Sequence, residues 1–262
     1  MLLAIRYFAA TLLFSGIWAM GTAYAVDANN PTAGFTSPEY SKDQFVDSAH
    51  YGDGEKIAYV WTPSSHLPPK YVLIVMPGGA GIVKPELRDG QVWFMAKGNF
   101  LVRSRTLFAD QDIAVITIDR GRSIERMRAV ITDIHSKYPL AKVYIAGTSR
   151  STTETIYLAQ KMDGEVSGFI HSSSMSSIGG LDTTKLKSRN LLVAHKDDSC
   201  RVTPPSSAIE NHQSYGTPLI LMEGGITEGN ECEAFAHHGF NGVELETVNQ
   251  IKAWIRQEQQ SQ

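Results

Sequence analysis

Apolar and polar positions along the chain fall into short segments that switch between two periods. Lys56 to Trp61 alternates, with Ile57, Tyr59 and Trp61 on one face, which predicts a half-buried antiparallel strand. Tyr71-Val72-Leu73-Ile74-Val75-Met76 is apolar without alternation, as in a strand covered on both faces in the middle of a parallel sheet. Similar runs predict strands over Ile113–Ile118, Val143–Ala146, Val166–His171, Leu191–Ala194 and Pro218–Met222. Helical spacing recurs between them. A helix begins within Gly98–Arg105, with Leu101, Arg105 and Phe108 in register. Ile124 to Tyr138 carries Ile124, Met127, Ile131 and Ile134 and stops before Pro139. Thr155 to Ala159 continues from a small-residue turn. Val243 to Gln259 is amphipathic through Val248, Ile251, Trp254 and Ile255.

Strand and helix alternate from residue 71 onward, which predicts an α/β fold with a largely parallel sheet and helices on both faces. Ligands of such sheets sit beyond the carboxyl ends of the strands. The connections are short and leave little room for a cap domain. There is no internal repeat and no low-complexity tract.

Composition adds an address. Residues 1–25 pair one basic residue, Arg6, with an apolar stretch from Tyr7 to Trp18 and a small-x-small site at Ala23-Tyr24-Ala25, the pattern of a cleaved secretory signal peptide. Residues 26–44 are expected to be a flexible segment and 45–262 a single domain. No later apolar stretch is long enough to span a bilayer. A formal net charge of −3 gives no reason to expect nucleic acid as a partner. The 2 cysteines, Cys200 and Cys232, are expected to form a disulfide in an exported chain. Without paired C-x-x-C spacing they make a poor metal site.

The unusual loops all fall at predicted strand ends. Gly147-Thr148-Ser149-Arg150-Ser151 joins a strand to a helix, the setting in which a nucleophile elbow lifts a serine out of the sheet. Ser149 is the candidate nucleophile, and Ser151 stands where such elbows place a second glycine. A plain strand-to-helix loop, with Thr152 or Thr153 as helix cap, is the structural alternative. Pro77-Gly78-Gly79-Ala80-Gly81 leaves a buried strand and fits an oxyanion loop, with the N–H of Gly79 or Ala80 and that of Arg150 as donors. It lacks a following Lys-Ser/Thr pair and a Gly-x-Gly-x-x-Gly pattern, so nucleotide binding is not expected.

A serine nucleophile needs a base and an acid that orients the base. His195 to Pro204 leaves the fifth buried strand and offers Asp198 or Asp197; Asp198 is preferred as the nearer to Val202-Thr203-Pro204. Cys232 to Phe240 follows the sixth and offers His238 or His237. His238 is preferred because Gly239-Phe240 turns the chain and allows the aromatic to pack beneath the imidazole. Bridging Cys200 to Cys232 would tie the acid loop to the histidine loop. The side chains of Arg150, Arg120 and Arg122 fall near the expected site but read as surface charges, while His171 and His195 read as structural.

With these motifs the chain resembles the α/β-hydrolase superfamily, in particular small secreted bacterial members. The resemblance rests on Pro-Gly-Gly-x-Gly at 77–81, Gly-Asn-Phe-Leu-Val-Arg at 98–103, Gly-Thr-Ser-Arg at 147–150, His-x-x-Asp-x-Cys-Arg-x-Thr-Pro at 195–204 and His-His-Gly-Phe at 237–240. It spans residues 45–258. Two departures are Ser151 in place of glycine and a short link after Asp119 where a longer, lid-like loop is expected. The resemblance implies a serine hydrolase with no cofactor and does not specify its substrate; a small-molecule carboxylic ester is expected because an open site without a cap suits small acyl groups. A peptidase or thioesterase using the same triad, or a non-catalytic binding protein on this scaffold, are the other readings.

Overall fold

The computed structural model describes residues 44–52 and 54–257. The signal peptide and nearly all of the flexible segment expected before residue 45 lie outside the described residues. Eight strands form the main sheet: β1 (Phe45–Tyr51), β2 (Glu55–Thr62), β3 (Tyr71–Met76), β6 (Ile113–Thr117), β7 (Lys142–Thr148), β8 (Gly168–Ser172), β9 (Arg189–His195) and β10 (Leu219–Met222). A two-stranded hairpin, β4 (Glu86–Arg88) and β5 (Gln91–Trp93), stands apart from them. The sheet order is β1-β2-β6-β3-β7-β8-β9-β10. β1 pairs antiparallel with β2, and β2 with β6; every later pairing is parallel.

Residues alternate between two apolar layers along the central strands. Val72, Ile74 and Met76 of β3 meet α3 (Ile124–Lys137) and α4 (Thr152–Lys161) in one layer through Met127, Val130, Ile134, Leu158 and Ala159. Leu73 and Val75 face the other layer, with Phe100 and Leu101 of α1 (Phe100–Arg103), Phe108 of α2 (Arg105–Phe108), and Val248, Ile251, Trp254 and Ile255 of α6 (Glu244–Arg256). α5 (Pro205–Tyr215) covers Leu192 and Ala194 of β9 through Ala208. Helices therefore lie on both faces of a mostly parallel sheet, as the alternation predicts.

Two local expectations are corrected. The helix expected from Gly98 is two single turns, because Ser104 takes φ −86° and ψ 1° and breaks the run. β2 is not half-buried along its length: only Glu55 and Lys56 are exposed and Tyr59 to Thr62 are all buried, Val60 meeting a second apolar cluster with Val83, Phe94 and Val102. β1, which pairs antiparallel with β2, carries too little apolar pattern to be predicted, with Ala49 its one buried residue. Among the described residues no cap domain interrupts the sheet. Residues 118–123 link β6 to α3, and the β8–β9 connection, residues 173–188, holds two short 3-10 turns. No helix among the described residues is long and apolar enough to cross a membrane.

His171 of β8 pins α4 and β9 together. It is fully buried, its Nδ1 lies 2.7 Å from the Thr155 hydroxyl of α4, and its Nε2 lies 3.0 Å from Asn190 Oδ1 of β9. Burial pushes its pKa down to about 4, and the Asn190 bond opposes this only in part. In the unfolded chain the imidazole gains its proton near pH 6.5, so below that pH the unfolded state binds the extra proton. The stabilisation is thus complete above about pH 6.5 and is lost as the pH falls toward 4. Urea denaturation from pH 7 to 4 should show wild type losing stability faster than His171→Gln, by up to about 1.4 kcal/mol per pH unit. Parallel curves would contradict this.

Candidate active site

β7 ends at Thr148, and the next residue, Ser149, takes φ +54°, a left-handed conformation that a side chain adopts only under constraint. A 3-10 turn over Ser149–Ser151 then leads into α4. The constraint is packing. A Cβ on Gly147 would lie 2.7 Å from the Ser151 carbonyl oxygen and 2.8 Å from Thr155 Cγ2, so strand and helix can close on each other only through glycine there. Ser149 remains partly exposed at the tip of the turn.

Ser151 is wholly buried and its hydroxyl donates to the Pro77 carbonyl. The residue that departs from the glycine pattern thus ties the elbow to the loop leaving β3. Thr152 and Thr153 are not N-caps as in the structural alternative. Their hydroxyls donate backwards, to the Ser149 carbonyl at 2.6 Å and the Arg150 carbonyl at 2.9 Å.

The Pro77–Gly81 loop lies directly against the serine. A Cβ on Gly78 would come within 2.8 Å of Ser149 Cβ and 3.5 Å of Ser149 Oγ. Gly81 N–H donates to the Gly78 carbonyl at 3.0 Å, closing a tight turn. Among the described residues the N–H groups of Gly79, Ala80 and Arg150 donate to no protein acceptor. They are therefore free to serve an oxygen placed beside Ser149.

The other two candidates come from the loops after β9 and β10. His238 Nδ1 and Asp198 Oδ2 are 3.0 Å apart, with side chains 7% and 2% exposed. The remaining capacity of the carboxylate is filled: Cys200 N–H donates to Oδ1 at 2.9 Å, and the Thr203 hydroxyl lies 3.3 Å from Oδ2. Thr203 Oγ1 also stands 3.1 Å from His238 Nδ1, so it touches both partners. With Nδ1 turned to the carboxylate, Nε2 is left to act as a base. Asp197 is exposed, and His237 stacks on His195 with ring centroids 4.5 Å apart and planes 5° apart. His195 is structural: its Nε2 donates to the Gly224 carbonyl at 2.7 Å, its Nδ1 accepts from Asp197 N–H at 3.1 Å, and burial lowers its pKa.

The loop carrying His238 is held from two sides. Ser173 follows the register pair Thr148–Ser172 at the ends of β7 and β8, which puts it beside Ser149, and its hydroxyl donates to the His238 carbonyl at 2.6 Å. Arg103, buried on α1, donates to the carbonyls of Gly239 and Gly98, each at 2.6 Å, and pairs with Glu244 at 2.8 Å. Phe240 does not pack beneath the His238 imidazole as expected. It turns at φ +58° and enters the core against Phe100, with centroids 4.6 Å apart. Among the described residues no hydrogen bond joins Ser149 Oγ to His238.

Cys200 and Cys232 form a disulfide, with Cα atoms 4.8 Å apart. It joins the acid loop to the segment that leads into His238. The ligand atoms of Asp198, Cys200 and His238 all lie within 4.8 Å of one another, but Cys200 Sγ is spent in the disulfide and offers no thiolate. Thr203 and Arg103 stand in the quoted motifs without a role assigned to them, and Ser173 stands outside those motifs. Arg103 has a faint signal, as a cation in a run that is otherwise apolar.

No protein-family model matches the chain, and no curated protein sequence matches it. Solved structures do. An α/β serine hydrolase without lid from Xanthomonas campestris, XC6422, is 13% identical with a TM-score of 0.54, covering 80% of this chain and 95% of that one. The esterase domain of a Rhodothermus marinus protein is 13% identical with a TM-score of 0.57, covering 82% of this chain and 98% of that domain. Est1E from Butyrivibrio proteoclasticus is 12% identical with a TM-score of 0.57, covering 80% and 97%. At such identities the likeness is one of fold: the chain has the α/β-hydrolase fold.

The disulfide gives a test of this loop assembly. Its separation of 32 residues corresponds to about 3–4 kcal/mol in the loop-entropy description. Cys232→Ser should lose stability of that order in urea denaturation. A loss below about 1 kcal/mol would show that the acid and histidine loops hold together without the link.

Proposed function

We propose that the protein is a serine hydrolase that cleaves carboxylic esters of small molecules through an acyl-enzyme on Ser149. The observation that carries this reading is the buried Asp198–His238 hydrogen bond at the same sheet end as a serine strained into a left-handed turn. In the proposed reaction Ser149 Oγ attacks the ester carbonyl carbon while His238 Nε2 takes the hydroxyl proton. Asp198 keeps the imidazole oriented and stabilises its charged form. The N–H of Arg150 and that of Gly79 or Ala80 receive the developing oxyanion. Collapse breaks the bond to the alcohol oxygen, which leaves with the proton from His238. Water, deprotonated by His238, then attacks the acyl-enzyme and releases the acid and Ser149.

The bond from serine to histidine is often long in an unliganded site and tightens when substrate is bound. The absence of a cap domain favours small esters over substrates that need an enclosing lid. We further propose an exported, periplasmic or secreted, location; the Cys200–Cys232 disulfide supports it because such bonds persist in oxidising compartments. Hydrolysis of p-nitrophenyl acetate and butyrate is the test. Wild type should turn them over, and Ser149→Ala and His238→Ala should each lower kcat/KM by about 10³-fold or more. Activity that survives Ser149→Ala would refute the assignment of the nucleophile. No hydrolysis of either ester by wild type would favour the non-catalytic scaffold reading.

A further inference from the structure

Arg120 follows β6 and is one residue beyond Asp119, away from the acid and base. Its contacts all run to the oxyanion loop and the elbow helix. Its backbone N–H donates to the Gly81 carbonyl at 2.8 Å. Its guanidinium Nη1 donates to the Gly79 carbonyl at 2.8 Å. Its Nε lies 3.9 Å from Glu154 Oε1 in the first turn of α4, and both side chains are largely covered. The side chain lies so close over Gly81 that a Cβ there would be 2.5 Å from Arg120 Cβ and 2.8 Å from Nε. Asp119 supports the arrangement by accepting from the N–H groups of Val83 and Lys84 at 2.5 and 2.8 Å.

Peptide geometry turns these contacts into a functional statement. In a trans peptide the C=O and the N–H of one unit point in opposite directions. The Gly78 carbonyl accepts from Gly81 N–H, so the Gly79 N–H of that unit faces away from the inside of the turn. The Gly79 carbonyl is drawn to Arg120, so the Ala80 N–H of the next unit faces away from the guanidinium. Gly79 and Ala80 are exposed, and Gly79 has φ +60°, a conformation with little steric preference of its own. Without Arg120 this second peptide unit has no side chain to fix its rotation.

We infer that Arg120 is a positioning residue for the oxyanion hole: by gripping the Gly79 carbonyl it sets the orientation of the peptide unit that carries the Ala80 N–H, one of the two alternative donors in the loop that packs on Ser149 through Gly78. The inference rests on the reading proposed above, since it concerns the same reaction. Among the described residues the polar contacts of Arg120 run to Gly79, Gly81 and Glu154 and not to Ser149, Asp198 or His238. It acts when charge develops on the carbonyl oxygen, because donors aimed in advance need no reorganisation at that moment. Its effect therefore belongs in kcat more than in KM.

The test is steady-state hydrolysis of p-nitrophenyl butyrate by wild type, Arg120→Met and Arg120→Lys, with thermal midpoints measured alongside. Methionine keeps the apolar cover over Gly81 and removes the donor; lysine restores a donor to the Gly79 carbonyl. Arg120→Met should lower kcat by about 10–100-fold with KM within about twofold of wild type, and Arg120→Lys should recover most of the loss. Arg128→Ala, which removes an exposed pair with Glu165 on α3, should leave kcat unchanged. If Arg120→Met does not fold, Arg120→Gln, too short to reach the Gly79 carbonyl, should show the same kcat loss. Wild-type kcat in Arg120→Met or Arg120→Gln, a loss confined to KM, or no recovery with lysine would overturn the inference while leaving Ser149-dependent hydrolysis intact. Wild type that fails to hydrolyse the ester would instead overturn the proposed function, and this inference with it.

Discussion

The hydrogen bond between Asp198 and His238 is the interaction on which the site depends. It joins two loops separated by 40 residues, and both side chains are almost fully removed from water. A buried carboxylate is costly unless its oxygens are satisfied. Here Oδ1 takes the Cys200 N–H, and Oδ2 faces His238 and the Thr203 hydroxyl. The geometry that satisfies the carboxylate also determines which imidazole nitrogen is left to work. Moving either loop by an ångström would strand a charge and misdirect the base together.

The fold supplies that accuracy through ordinary means. Parallel strands bring the ends of β7, β8, β9 and β10 side by side, so Ser149, Ser173, Asp198 and the histidine loop converge without long connections. Each loop is then anchored to a different element. The Cys200–Cys232 disulfide joins acid loop to histidine segment. Ser173 holds the His238 backbone from the sheet, and Arg103 holds Gly239 from the helical layer. On the nucleophile side, Ser151 fastens the elbow to Pro77 and Arg120 fastens Gly79. The two halves of the site are thus stabilised separately.

Much of this was legible in the sequence because the central strands are apolar on both faces, and the loops carrying chemistry are those that end such strands. The elements that escaped prediction are those stabilised by something other than an apolar pattern. β1 is an edge strand that buries little, and α5, with Ser207, Ala208 and Asn211 as its buried residues, reads as polar. Asp198, preferred for its spacing to the Val-x-Pro segment, is the aspartate buried against His238, while Asp197 is exposed; the His237 stack on His195 needed the fold. Phe240 was misread because a left-handed residue sends its ring into the core instead of under its neighbour. Ser151 reads from the sequence as a softening of the glycine motif, and no pattern shows where its hydroxyl goes. Its buried hydroxyl is a second tie between the elbow and the oxyanion loop.

The central claim is that Ser149, and no other serine, is the group this assembly activates. Ser173 and Ser174 lie nearby and are both buried, which makes them the informative competitors. Treating the folded protein with a fluorophosphonate and locating the adduct by peptide mass spectrometry separates the three. The account predicts one adduct per chain, on Ser149, and its loss in His238→Ala. An adduct on Ser173 or Ser174, or an unmodified Ser149 in protein that is folded, would contradict it.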